Sequence, residues 1–173
     1  DWDQPRSLYL SAPCGVEAGA DFAAIPSRVQ KMADIGPAFE STAVRREAKA
    51  KAAEAEGATV TARDNYFMAA IHYAASQWPH DENSAKNVAL NQRKRDCYTS
   101  YARLADHKVE AAWVPFKGKA LPAWFHLPPG YTGGRVPAVV SIPGMDGFKE
   151  ASVSMYGDRW LSRGIAVLTI EGP

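Results

Sequence analysis

Two short apolar runs, Ala138–Ile142 and Ile165–Ile170, are rich in β-branched residues and do not alternate with polar ones. A strand with one wet face alternates; a strand covered on both faces does not, and the latter pattern belongs to parallel sheets. Between the runs lie a glycine-bearing turn, Pro143-Gly144-Met145-Asp146-Gly147, and an amphipathic stretch from about Glu150 to Arg163 that Gly164 stops. The order is strand–turn–helix–strand, so the chain must contain a crossover between parallel strands. Two parallel strands do not make a finished sheet. A further strand is expected after Pro173, and Ile165–Ile170 is expected to carry a bare edge without it. Part of the machinery is therefore expected outside these residues.

Composition sets the outer bounds. With 46% hydrophobic and 23% charged residues, the chain has the make-up of a globular protein. Its 173 residues support one domain or slightly more. A net charge of +1 gives no electrostatic case for nucleic acid or an anionic membrane as partner. No apolar run approaches a membrane span, and no signal peptide is visible, which points to the cytoplasm. The chain begins at Asp1 without Met, which leaves room for a removed segment. Cys14 and Cys97 lie far apart, in neither a CxxC nor a zinc-ligand spacing, and read as reduced thiols. No metal or cofactor is implied.

The chain divides near residue 107, into a helical region (1–107) and an α/β region (108–173). Residues 1–25, with Pro5, Pro13, Gly15 and Gly19, read as an extended lead-in, and Pro26 to Asp34 as a short helix. Ala38–Glu56 is rich in strong helix formers and ends at Gly57. Glu47 and Lys51 stand four apart in the favourable order. The next helix is expected from Thr61 to Trp78, with Thr61 and Asp64 as a capping box and Pro79 beyond the end. Phe67, Ile71, Ala74 and Trp78 form its apolar stripe, which Tyr66 and Tyr73 widen, so most of its circumference should be buried. Asn83 or Ser84 then caps a long helix to about Asp106, with Leu90, Cys97, Tyr101 and Leu104 inward.

In the α/β region, Val109, Ala111 and Trp113 alternate with Glu110 and Ala112 as a half-buried strand. Lys117-Gly118 makes a turn, and Leu121–Leu127 returns antiparallel. After the glycine turn, Val153, Tyr156, Trp160 and Leu161 share one helical face. Gly157 costs that helix roughly 1 kcal/mol against Ala and reads as a close-packing residue.

A hairpin leading into strand–PGMDGFKE–helix–strand–EGP resembles the opening of the α/β-hydrolase core. The wording is similar to one branch, in which a helical segment precedes the core. There the first parallel strand ends in G-φ-[DE]-x-x-K-E, with φ apolar, and a later strand ends in [DE]-G-P. Here these are Gly144-Met145-Asp146-Gly147-Phe148-Lys149-Glu150 and Glu171-Gly172-Pro173. The branch holds the 2,6-dihydroxypseudooxynicotine hydrolase, the FrsA-like esterases and fungal polyketide-shortening hydrolases. The segment from Ala62 to Pro79 also resembles the helical cap of that family, so the likeness covers most of residues 40–173. Pro143 and Glu171 depart from the commoner small residue and Asp.

The resemblance implies a Ser-His-Asp hydrolase with its nucleophile on a G-x-S-x-G elbow. No serine of this chain has that context, so the triad is expected outside these residues. What the chain can hold is half of the oxyanion hole: a backbone N–H from the turn after the first parallel strand. By position that donor is Met145, with Gly144 letting the backbone approach. One such donor is worth roughly 3–4 kcal/mol in the transition state. Gly144 and Gly147 also have a plain reading as turn glycines. Asp146 either lines the substrate site or caps the following helix. Lys149 and Glu150 read as solvated or structural. His72, His80, His107 and His126 have no partner at a recognisable spacing. Tyr66, Tyr73 and Trp78 read as core aromatics, with lining of the substrate pocket as the alternative.

Two function classes stand at this point. One is a hydrolase of a small carbonyl substrate, cleaving an ester or a C–C bond beside a ketone, under a helical cap and as a homodimer. The other is a non-catalytic interaction protein that kept the core. An acyltransferase on the same core is a third. A Ser elbow followed by Asp and His in the downstream polypeptide separates the first from the second.

Overall fold

A computed structural model describes residues 13–144, 147–155 and 159–172. The chain divides into two units, Asp1–Leu104 and Ala105–Pro173.

The first unit is helical. The expected extended lead-in is partly helical instead: residues Val16–Ala18 form a 3-10 turn and Gly19–Ala24 a short helix, α1. The expected helix over Pro26–Asp34 is two 3-10 turns, Pro26–Arg28 and Met32–Asp34, parted by extended Val29. Helix α2 spans Ile35–Ala55 and starts three residues before the predicted Ala38. Pro37 does not prevent this, because the first helical turn has no use for its missing N–H. Helix α3 spans Thr59–Ala75, and the capping box does not form: Thr61 lies inside the helix, whose N-cap is Ala58. Helix α4 spans Ala85–Leu104, and the Ser84 hydroxyl accepts from the Asn87 N–H at 3.2 Å, as expected of a cap.

Helix α3 packs between α2 and α4. Every residue from Asn65 to Ala75 is buried, which fits its all-round apolar sequence. Phe22, Ile35, Phe39, Ile71, Tyr73, Leu90 and Tyr98 are the large side chains of this core. Gly36 sits at a tight crossing, where a Cβ would stand 3.2 Å from the Ser76 carbonyl oxygen and 3.3 Å from the Pro79 ring.

The second unit holds a sheet of β1 (Val109–Phe116), β2 (Lys119–His126), β3 (Ala138–Ser141) and β4 (Ala166–Ile170). Strands β1 and β2 form the expected hairpin, with Lys117 and Gly118 both at positive φ, the geometry that matches strand twist in a two-residue turn. Strands β3 and β4 are parallel, as the apolar runs require. The strand order is β1-β2-β4-β3. Strand β4 therefore has neighbours on both sides, and the expectation of a bare edge at Ile165–Ile170 is corrected: β3 is the outer strand. Its two faces are not both covered, since Val140 is 57% exposed.

The predicted single helix from Glu150 to Arg163 is also corrected. The described residues form a 3-10 turn Lys149–Ala151, a one-turn helix α5 (Ser152–Met155) and another 3-10 turn Leu161–Arg163. Gly164, at φ 74°, ends it in the left-handed region. Val153, Leu161 and Val167 form a small core with Trp160 against it. Tyr156 and Gly157 lie outside the described residues.

Candidate active site

Parallel pairing puts the carboxyl ends of β3 and β4 side by side, with Ser141 opposite Thr169. Open α/β sheets bind ligands outside those ends. The glycine turn follows β3 there, and Glu171 follows β4. The Gly147 N–H donates to the Gly144 carbonyl at 2.9 Å and closes the turn. Met145 and Asp146 lie outside the described residues.

The two glycines of the turn differ. A Cβ on Gly147 would stand 2.7 Å from the Pro143 Cβ, which no real pair of carbons tolerates. A Cβ on Gly144 would meet nothing within 4 Å among the described residues. Gly147 is thus required by the turn itself, and Gly144 is not.

Beyond the turn, Lys149 reaches Glu171 twice. Its backbone N–H donates to Oε1 at 3.2 Å, and its ammonium lies 2.7 Å from Oε2. The ammonium is also 2.8 Å from Glu150 Oε1. Lys149 and Glu150 are buried, which decides between the solvated and structural readings in favour of the second. Burial alone would lower the Lys149 pKa, but Glu150 and Glu171 outweigh it and hold the ammonium charged. The Trp124 indole N–H, 3.4 Å from Glu150 Oε1, ties β2 into the same cluster, and Trp124 is the register partner of Thr169. Phe148, at the N-cap of the 3-10 turn, makes no side-chain cap bond; Glu171, just past the end of β4, supplies an acceptor to that turn's first N–H.

A second polar pair went unseen in the sequence. His107 Nε2 and His126 Nδ1 are 3.0 Å apart, and His107 Nδ1 is 3.1 Å from Asp106 Oδ1. Residues 107 and 126 are 19 apart, and only the hairpin register, with Val109 opposite His126, brings them together. Burial, with His107 beside it, pushes the His126 pKa down to about 3.

The aromatic candidates lie in the helical unit. The Tyr73 hydroxyl donates to Glu47 Oε2 at 2.7 Å, and that oxygen also takes Arg93 at 2.7 Å. Lys51 donates to the other oxygen. Burial would raise the Glu47 pKa, but the bonds from Lys51, Tyr73 and Arg93 outweigh it and hold the carboxyl below its ordinary range. The Tyr66 hydroxyl donates to Glu54 at 2.8 Å, and burial with that bond raises its pKa to about 12. Trp78 packs edge-on against Phe39 at 5.6 Å. Tyr66 and Tyr73 are buried, with both hydroxyls bonded to carboxylates, and Trp78 is half-buried.

The same unit holds a buried charge cluster at Asp21. Arg45 and Arg46 both donate to it, and Arg46 continues to Asn65 Oδ1 at 2.9 Å. His72 lies nearby, fully buried and stacked on Phe22 at 4.5 Å between ring centroids. Neither of its ring nitrogens has a hydrogen-bond partner among the described residues. Among the described residues, no three His, Cys, Asp or Glu side chains are grouped to hold a metal, and no helix is long and apolar enough to cross a membrane. Cys14 and Cys97 are free and buried.

A helical segment, an antiparallel hairpin, a crossover and a glycine turn at the strand ends are the opening part of an α/β-hydrolase. The solved structure of the 2,6-dihydroxy-pseudo-oxynicotine hydrolase superposes with a TM-score of 0.73 over 96% of this chain and 45% of that one, at 24% identity. The family described as "Esterase FrsA-like" matches residues 38–173, and the chain belongs to it. Among curated relatives, the alpha/beta hydrolase pydG of Acremonium sp is 30% identical over all of this chain and 42% of its own length. The alpha/beta hydrolase xenA of Xenoacremonium sinensis is 29% identical over 79% of this chain and 33% of its own. The chain thus spans less than half the length of these relatives.

Proposed function

We propose that this chain supplies the helical cap and first strands of a serine hydrolase that cleaves an ester, or a C–C bond next to a carbonyl, in a small apolar or aromatic substrate. The observation that carries the reading is the closed Gly144–Gly147 turn at the carboxyl ends of two parallel strands, in a chain of a hydrolase family. In this reading the Met145 backbone N–H donates to the oxyanion of the tetrahedral intermediate, and the residue after the nucleophile supplies the second donor. The absence of any described residue within 4 Å of a Cβ on Gly144 supports close approach of a ligand there. In the same reading Asp146 is a substrate-binding residue, and Ser, Asp and His of the triad come from polypeptide beyond these residues. The whole enzyme works in the cytoplasm as a homodimer, without a cofactor.

The test is made in the full-length protein with p-nitrophenyl acetate. Met145→Pro removes the N–H and should depress kcat by about 10²-fold or more. Met145→Ala keeps the donor and should change kcat little. A thermal melt shows whether the proline variant is folded. Normal turnover by a folded Met145→Pro protein removes the turn from the oxyanion hole.

A further inference from the structure

Lys149 and Glu171 sit in the two motifs that mark the ends of β3 and β4, 22 positions apart, and they meet. The contact is more than an ion pair. Glu171 takes the ammonium of Lys149 on one oxygen and its backbone N–H on the other. A carboxylate on the end of one strand thereby fixes both the main chain and the side chain of the residue that closes the turn after its neighbour. The connection is short: Ile142 to Phe148 spans the gap between the end of β3 and this contact. On the β3 side it has the Gly147-to-Gly144 hydrogen bond, and Gly147 lies so near Pro143 that no Cβ would fit there. On the other side it has Lys149.

We propose that Lys149 and Glu171 are a positioning pair for the oxyanion donor in this turn, a role that rests on the hydrolase reading above. Neither touches substrate. Lys149 is buried to 5% exposure, so its ammonium is not a surface charge offered to a ligand. Glu150 shares that ammonium and Trp124 bonds Glu150, so the pair is braced from β2 as well. Such bracing matters because a donor pre-aimed at the oxyanion needs no reorganisation as charge develops. A shift of about 1 Å in a positioned group can cost on the order of 10²-fold in rate. Loss of the pair should therefore lower kcat and leave KM nearly unchanged, because the misaimed donor serves the transition state more than the bound ester. A residue that only stabilised the fold would lower the melting temperature and the folded fraction, but not kcat per folded molecule.

The experiment compares Glu171→Gln, Lys149→Met and Lys149→Arg in the full-length protein with p-nitrophenyl acetate, with rates normalised to the folded fraction from near-ultraviolet circular dichroism. Glu171→Gln and Lys149→Met should each lower kcat by about 10-fold or more with KM within about 2-fold. Lys149→Arg, which keeps a cation for Glu171, should recover most of the rate. If Lys149→Met does not fold, Glu171→Gln decides the matter alone, since Glu171 is a quarter exposed and the amide keeps an acceptor for the Lys149 N–H. A normal kcat in folded Glu171→Gln overturns the proposal. If Met145→Pro is impaired while the Lys149 and Glu171 variants are normal, only the positioning role falls; if Met145→Pro is normal too, the oxyanion reading falls with it.

Discussion

Replacing His72 should remove a specific part of the protein's acid sensitivity. The ring is fully buried against Phe22 and Phe39, and neither nitrogen is hydrogen-bonded among the described residues. The Asp21 carboxylate is 3.9 Å away, too far to hydrogen-bond, and already holds Arg45 and Arg46. Burial therefore dominates, with the two arginines adding to it against the pull of Asp21, and pushes the His72 pKa down to about 3. In the unfolded chain the ring titrates near its free value of about 6.5. Between those values the unfolded state binds a proton that the folded state refuses. Stability then falls as pH drops below about 6.5, by about 1.4 kcal/mol per pH unit, and levels off only near the folded value. At about pH 5 the accumulated loss is about 2 kcal/mol. His72→Leu abolishes this contribution and also removes two unsatisfied buried nitrogens. Urea unfolding of the full-length protein at about pH 8 and about pH 5 reads it directly. The variant should gain about 2 kcal/mol over the parent on going from the higher pH to the lower. His126, also held near 3, gives a similar slope in the second unit and stays in both proteins, so it cancels in the comparison. Asp21, whose pKa is lowered, contributes stability lost only below its ordinary range and stays out of this window. The same pH dependence in variant and parent would refute the reasoning.

The two turn glycines should separate folding from chemistry. Gly147→Ala meets Pro143 and should lower the melting temperature, whereas Gly144→Ala should melt normally while slowing ester hydrolysis; loss of stability at Gly144 alone would reverse the assignment. Tyr73→Phe deletes one bond to Glu47, which keeps Lys51 and Arg93, so it should cost about 1 kcal/mol in urea unfolding and leave kcat/KM for p-nitrophenyl acetate unchanged. A large fall in kcat/KM at unaltered stability would put Tyr73 in the substrate pocket instead.

Local pattern alone carried the elements whose signals are local. The unbroken apolar runs gave the parallel strands β3 and β4, Lys117-Gly118 gave the hairpin, and the all-round apolar face of α3 gave a helix buried between two others. The turn motif and its strand-end partner were also readable, because each is a contiguous string. Ends were less legible. Thr61 and Asp64 have the spacing of a capping box, yet α3 begins earlier at Thr59, since packing against α2 and α4 outweighs one cap. The stretch from Glu150 to Arg163 has helical periodicity, but its described residues fold in short pieces, because periodicity reports which side is apolar and not whether the hydrogen-bond ladder runs unbroken. Everything decided by strand order lay beyond the sequence. Pairing of β4 with β2 moved the outer edge to β3. The same sheet brought Lys149 to Glu171 and His107 to His126. Charge and polarity along a chain say that a side chain needs a partner. Which partner it meets depends on contacts between distant segments, and only the closed tertiary structure sets those distances.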